Sequence, residues 1–247
     1  YDHKGEVMYF EKSLNNFGVV LKGSSVENLP RFSSNFQDCF IVNNIDKNAD
    51  NSESEYSIIA PEIKGKNIAH FVNRLPTAPL LPEHYKELEI KNIQFPKVQP
   101  DAELSSMKLY YESLGLTCHN LPEQALGYND YFDDKFYLKP GDSNYKTKHP
   151  NTGVLAVIYA ASILKPKNLW VIGLDFYQSN YLFRRPWHNS FERQQLKMKN
   201  TDMVGHFMDI VKRNPDVNFK MVTYAELGEA DNLEIMPVER GSSENNI

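Results

Sequence analysis

Two clusters of polar residues bracket one short segment, "HPNTGVLAVIYAASILKPKNLWVIGLDFYQ", residues 149–178. Asn151, Thr152 and Gly153 open an apolar stretch with helical spacing; Gly173, Asp175, Phe176, Tyr177 and Gln178 follow an apolar run that reads as a buried strand. A threonine hydroxyl beside free helix-start amides suits a carboxylate or phosphate, because the amides point outward and the helix end is partly positive. The same residues are equally an ordinary N-cap followed by close packing at Gly153. Phenols at Tyr177 and Tyr181 could donate hydrogen bonds to a departing phosphate, or serve as plain core or rim aromatics. Of seven histidines, His188 stands in a polar loop, "RRPWHNSFE", beside Arg184 and Arg185. Its ordinary pKa lies near neutrality, which makes it the candidate general base. His149 precedes the anion-binding candidate, His70, His84 and His119 read as structural, and His206 in mid-helix reads as packing.

These groups need a frame that brings them to one edge. "FGVVLKGSS", "DCFIVNN", "GKNIAHFVN", "NIQFPKV", a run at about 168–174 and "VNFKMVT", taken as the last, read as strands. Helices are expected at "PEHYKELE", started by Pro82, at "AELSSMKLYYESLG", capped by Asp101 and closed by Gly115, and from about 152 to 164. Another is "DMVGHFMDIVKRN", capped by Asn200 or Thr201. The stretch 46–55 reads as a solvated acidic loop, and 119–148 as an irregular excursion over the sheet. Alternation of this kind predicts an α/β fold with a mostly parallel, doubly wound sheet, whose ligands sit at the carboxyl ends of the strands. Those ends carry Gly23-Ser24-Ser25, Asn43-Asn44, Asn73 and Gly173-Leu174-Asp175, amides and hydroxyls suited to a nucleotide's ribose and base edge.

Composition narrows the partners. The chain has 247 residues, 41% hydrophobic and 24% charged, which fits an ordinary globular protein. A net charge of −5 without a dense Lys/Arg block argues against nucleic acid. No apolar run is long enough for a membrane span. The start at Tyr1 rather than Met is compatible with a leader or anchor removed ahead of it, and membrane association through such a segment stays open. Cys39 and Cys118 read as two small buried residues, with one bridge open but unsupported. No Gly-x-Gly-x-x-Gly follows the first strand and no Gly-x-x-x-x-Gly-Lys-Ser/Thr occurs, which disfavours a redox dinucleotide enzyme and a P-loop ATPase. Without an Asp-x-Asp pair or a zinc-spaced His/Cys cluster, no metal and no resident cofactor are expected.

In order from about residue 17 to 225, "VVLKGSSVENL", "IVNN", "GKNIAHFVN", "NTGVLAVIYAASI", "WVIGLDFYQ" and "KNTDMVGHFMDIV" resemble the successive motifs of bacterial lipooligosaccharide sialyltransferases. The "P-x-T-G" start also resembles the S sialylmotif of the animal enzymes. The resemblance implies a Rossmann-like single domain, here 17–238, with a mobile lid, which at about 178–198 is much shorter than the family's; composition reads 1–16 as a peripheral arm and 239–247 as a polar tail. It implies a CMP-activated sialic acid as donor and a glycan or glycolipid as acceptor. By motif position, Gly23, Ser24, Ser25, Asn43 and Asn73 would face cytidine and ribose, and Asn151, Thr152 and Gly153 the sugar carboxylate or phosphate. Gly173, Asp175 and Phe176 would line the nucleotide, and Tyr177 and Tyr181 would bind its phosphate. Lys22 and His149 depart from the pattern, and Lys197 stands where the family has its catalytic histidine. The base would then be His188 from a rearranged loop, or Lys197. Alternatives are transfer of a related CMP-linked acid such as Kdo, an inactive nucleotide-sugar or glycan-binding protein, and a Rossmann methyltransferase.

Overall fold

The computed structural model describes residues 9–43, 55–72, 80, 82–96, 101–120, 151–179 and 202–241. Its first half runs β1 (Asn16–Val20), a 3-10 turn (Ser24–Asn28), α1 (Leu29–Phe32), β2 (Asp38–Val42), α2 (Glu55–Ile63) and β3 (Asn67–Phe71). α3 (Pro82–Glu87), β4 (Asn92–Phe95), α4 (Asp101–Ser113) and β5 (Thr117–Asn120) complete it. The second half is α5 (Thr152–Tyr159), prolonged by a π-helical turn (Ala160–Leu164), then β6 (Asn168–Ile172), α6 (Met203–Arg213), β7 (Asn218–Val222) and β8 (Leu233–Ile235).

All eight strands are parallel, in the order β5-β4-β3-β2-β1-β6-β7-β8. The central strands are apolar on both faces because both are covered. Phe17, Val19, Phe40, Phe71, Val171 and Phe219 point to the side of α5 and α6, whereas Val20, Ile41, Ile68, Ile172 and Val222 point to α1–α4. Helices on both faces make the fold Rossmann-like and doubly wound, as expected. The direction of winding reverses between β1 and β6, so the carboxyl ends of these two strands flank the switch point where such sheets open a crevice.

The amino edge of the sheet is pinned by amides. Asn16, Asp38, Asn67, Asn92, Asn168 and Asn218 each begin a strand. Asn16, Asn168 and Asn218 are register partners across β1, β6 and β7. The Asn168 amide donates to Asn16 Oδ1 at 3.0 Å and accepts from Asn218 at 3.4 Å; Asn67 donates to Asp38 Oδ1 at 2.9 Å. A slip by one residue would break these pairs and turn every apolar side chain to the wrong face.

Several expectations need correction. Glu55 is not solvated surface but the buried first residue of α2, a helix the sequence reading missed. Asp101 lies inside α4 rather than ahead of it, and Gly115 closes that helix at φ 78. β5 occupies 117–120, where an irregular excursion was expected to begin, and β8 follows β7, which is therefore not the last strand. The α6 cap is Asp202, whose side chain accepts from Gly205 N at 2.8 Å. Phe10 is core, with its ring 4.8 Å from Phe17 and 5.5 Å from Phe40, so the packed body begins before residue 17. Cys39 and Cys118 lie three strands apart, about 14 Å by strand spacing, too far for a bridge. Cys39 is buried, but Cys118 only partly so. Among the described residues, no helix is long and apolar enough to cross a membrane.

The amide row makes a stability prediction. Asn168→Ala should cost about 1–2 kcal/mol, from hydrogen bonds lost on two neighbouring strands. Urea unfolding should show a lower midpoint at unchanged slope, since the fold and its buried area persist; an unmoved midpoint would remove the row from the account of register.

Candidate functional site

At the switch point the chain leaving β1 is laced to the chain leaving β6. Leu21 N donates to Ile172 O at 2.8 Å and Gly23 N to Gly173 O at 2.9 Å. Gly173 has φ 81, and a Cβ there would lie 2.5 Å from Leu21 O, so only glycine fits. A Cβ on Gly23 would lie 2.6 Å from Gly173 O and 2.7 Å from Asp175 Oδ2. Glycine is thus demanded at both positions by the approach of the two loops to each other.

Asp175, 4% exposed, fastens this junction. Its Oδ2 accepts from Ser25 N (2.9 Å) and Ser179 Oγ (3.0 Å). Its Oδ1 accepts from Tyr224 N (3.0 Å) and lies within bonding distance of Ser25 Oγ (2.6 Å) and Thr223 Oγ1 (2.9 Å). Ser24 Oγ extends the chain by donating to Ser179 Oγ at 2.7 Å. The loops after β1, β6 and β7 therefore meet on one carboxylate. A carboxylate offers about four lone-pair sites, so none is left for a nucleotide. This carboxylate also sits at the start of the Ser24–Asn28 turn, where dinucleotide-binding folds hold a diphosphate. The chain fills that anion position itself, and Ser25 and Asp175 are framework rather than ligand-facing groups.

The α5 start is built differently. Asn151 Oδ1 caps the helix by accepting from Val154 N at 2.9 Å, and its amide nitrogen lies 3.0 Å from Met203 Sδ, joining α5 to the start of α6. Asn151 is thereby committed within the protein. A Cβ on Gly153 would lie 2.3 Å from Leu21 Cδ2 and 3.2 Å from Leu174 Cδ1, so the helix end is pressed against the β1 and β6 loops. The capping and close-packing reading holds for both residues. The first amides, those of Thr152 and Gly153, have no carbonyl to bond within the helix, and they stay the natural place for an anion.

Between these groups lies a strained turn. Phe176 and Tyr177 have φ values of 50 and 60, and Gln178 N donates to Asp175 O at 2.8 Å. Two consecutive left-handed residues closed in this way form a type I′ turn, normally built from Asn and Gly. Left-handed backbone costs roughly 1–2 kcal/mol per residue that carries a side chain. Phe176 does not line an open crevice: it is buried, with its ring 5.4 Å from that of Phe207 on α6. Tyr177 is half-buried against the same core, on the face of the sheet that α5 covers.

Asn43 follows β2 with φ 62, and its carbonyl is gripped by His70 Nε2 at 2.8 Å. A carbonyl only accepts, so Nε2 carries the proton and Nδ1 accepts from Tyr85 OH at 2.8 Å. His84 stacks on Tyr56 at 4.1 Å, His119 bonds Asn92 Oδ1 at 2.9 Å, and His206 is fully buried in α6, so none of the four is set up as a base. Asn44, Asn73, His149, Tyr181, His188 and Lys197 lie outside the described residues.

Thr223, Tyr224 and Ser179 were missed. Thr223 and Tyr224 follow the last apolar residue of β7, and the strand-end rule that found Asn43 would have found them too. Asn28 was also unforeseen: its side chain pairs with both main-chain groups of Glu239, at 3.0 Å each, and so docks the chain beyond β8 on the loop after β1. Compared with known proteins, the chain matches no family model and no curated protein.

His70 yields a pH prediction. Burial lowers its pKa from 6.5 to about 4, against the smaller upward pull of the bond to the Asn43 carbonyl. Between these values the unfolded chain binds a proton that the folded one refuses, so stability rises with pH across that window. The contribution is complete above 6.5 and fades as pH falls toward 4, a change of roughly 3 kcal/mol. Urea midpoints measured from pH 7 to pH 4 should fall, and His70→Gln should flatten that part of the slope. An equal slope in the variant would assign the dependence to other groups.

Proposed function

We propose that this protein is an inverting, metal-independent glycosyltransferase that moves sialic acid from a CMP-activated donor to a glycan hydroxyl. The observation that supports the reading is the division of labour at the switch point. The first-turn anion position is filled by Asp175, which disfavours a dinucleotide; the second candidate anion position is the α5 start, whose Gly153 packs against the loop that carries Tyr177. That is the pairing the motif resemblance assigns to the sugar carboxylate or phosphate and to the leaving phosphate. Thr152, the amides of Thr152 and Gly153, and Tyr177 are then the donor-facing groups, with Asn43 at the neighbouring strand end.

In this mechanism a base takes the proton of the acceptor hydroxyl, whose oxygen forms the new bond to the anomeric carbon. The bond from that carbon to the phosphate oxygen breaks through an oxocarbenium-like state, and the pair of electrons leaves with CMP. Helix-start amides and the tyrosine phenol stabilise the charge that develops on the phosphate. His188 is the proposed base, Lys197 the alternative, and Tyr181 the second phenol.

Thermal unfolding with CMP, UDP, GDP, AMP and S-adenosylhomocysteine, each with and without EDTA, tests the reading. CMP at about 100 times its Kd should stabilise by roughly 2.7 kcal/mol and raise the melting temperature by about 5–10 °C, indifferent to EDTA. A shift with another nucleotide and none with CMP would overturn it; an adenosyl ligand would point to a methyltransferase. A CMP shift without transfer or donor hydrolysis would replace the enzyme by a binding protein.

Tyr177→Phe should lower turnover about ten-fold or more with the fold intact, because one charge-assisted hydrogen bond to the leaving group is lost. An unchanged rate of CMP release would remove Tyr177 from the mechanism.

A further inference from the structure

The Phe176–Tyr177 turn needs a restraint on each side, since neither residue favours a left-handed backbone. Before it, Asp175 is bound through its carboxylate, and Phe176 is locked by packing on Phe207. After it, Ser179 ties back to Asp175 and Ser24, and Gln178 ties the turn to the β7 connection. Gln178 Oε1 accepts from Glu226 N at 2.9 Å, and its Nε2 lies 3.5 Å from Glu226 O. The side-chain amide thus takes the place of a neighbouring strand's peptide. It completes a series in which Gly173 N bonds Val222 O (3.2 Å), Thr223 Oγ1 reaches Leu174 O (2.8 Å) and Tyr224 N bonds Asp175 (3.0 Å). The β6 and β7 connections stay paired in this way well past the end of regular ladder bonding. Gln178 itself is exposed and adds nothing to the core, so its grip on Glu226 serves the turn.

We infer that Gln178 is a positioning residue, whose clamp on the Glu226 main chain holds Tyr177 in the left-handed turn at the switch-point crevice; the role for catalysis rests on the transferase reading of Tyr177. Without the clamp, residues 176–177 relax toward φ values that suit their side chains, and the phenol leaves its place. Glutamate at 178 retains an acceptor for Glu226 N, whereas alanine retains nothing.

The test uses the full chain with 3-fluorotyrosine incorporated at position 177, in the wild type and in Gln178→Ala and Gln178→Glu. The fluorine resonance of Tyr177 should be single in the wild type, shifted or split in Gln178→Ala, and restored in Gln178→Glu. With unlabelled protein and CMP-sialic acid as donor, Gln178→Ala should lower kcat about ten-fold at nearly unchanged KM, and Gln178→Glu should recover most of it. A Tyr177 resonance indifferent to Gln178→Ala, or equal losses in both variants, would overturn the proposal. A wild type that does not consume the CMP donor would sink the transferase reading alone, because the fluorine comparison still decides whether Gln178 positions Tyr177.

Discussion

The switch point depends on one buried carboxylate. Taking Asp175 out of water is costly unless its oxygens are fully bonded, and the structure meets that demand with donors from the loops after β1, β6 and β7. The requirement works in both directions. Three chain segments that diverge to opposite faces of the sheet are drawn to a common centre, and removing any donor would leave part of a buried charge unsatisfied. Gly23 and Gly173 follow from the same constraint, since a side chain at either would hold the loops apart.

The two edges of the sheet are secured by different chemistry. At the amino edge, amides at matching strand positions bond sideways and fix register, an arrangement that tolerates solvent. At the carboxyl edge the same need for satisfied polar groups is met by Asp175, by His70 on the Asn43 carbonyl, and by Asn28 on Glu239. Left-handed backbone occurs at both edges, at Ser13, Glu89 and Lys165 ahead of strands and at Asn43, Phe176 and Tyr177 after them, but among the described residues only Phe176 and Tyr177 adopt it consecutively. A frame stiffened on every side of a strained turn keeps that turn from relaxing into a conformation its residues prefer.

Much of the frame was legible in the sequence because burial on two faces leaves continuous apolar runs, as in "WVIGL" and "DCFIV", and capping residues mark where helices start. The rest was hidden for physical reasons. α2 carries Pro61 and opens on Glu55 at the end of an acidic stretch, so polarity and a helix breaker masked an amphipathic segment. β5 and β8 lie at the edges of the sheet, where short strands with mixed side chains lack the apolar signature of the centre. Asp202 outcompetes Asn200 and Thr201 as cap because its side chain reaches Gly205 N, a choice composition alone does not decide. At the switch point, residue types alone could not tell framework from ligand-facing groups. Ser25, Asp175 and Asn151 have the chemistry of a binding residue and spend it on the protein.

That distinction bears on what the motifs mean. "GLDFYQ" is the most specific stretch of the resemblance, and nearly every letter of it has a structural task. Gly173 admits the β1 loop, Asp175 gathers three connections, Phe176 anchors the turn in the core, and Gln178 holds it to Glu226. Tyr177 packs half-buried against the same core, in a left-handed backbone that a glycine would adopt at lower cost. The buried carboxylate, the packed phenylalanine and the Gln178 contact together hold this turn in a conformation its residues do not favour. On the transferase reading we propose, the groups left to meet a donor are Tyr177 and the start of α5, because Ser25, Asp175 and Asn151 are bonded within the protein.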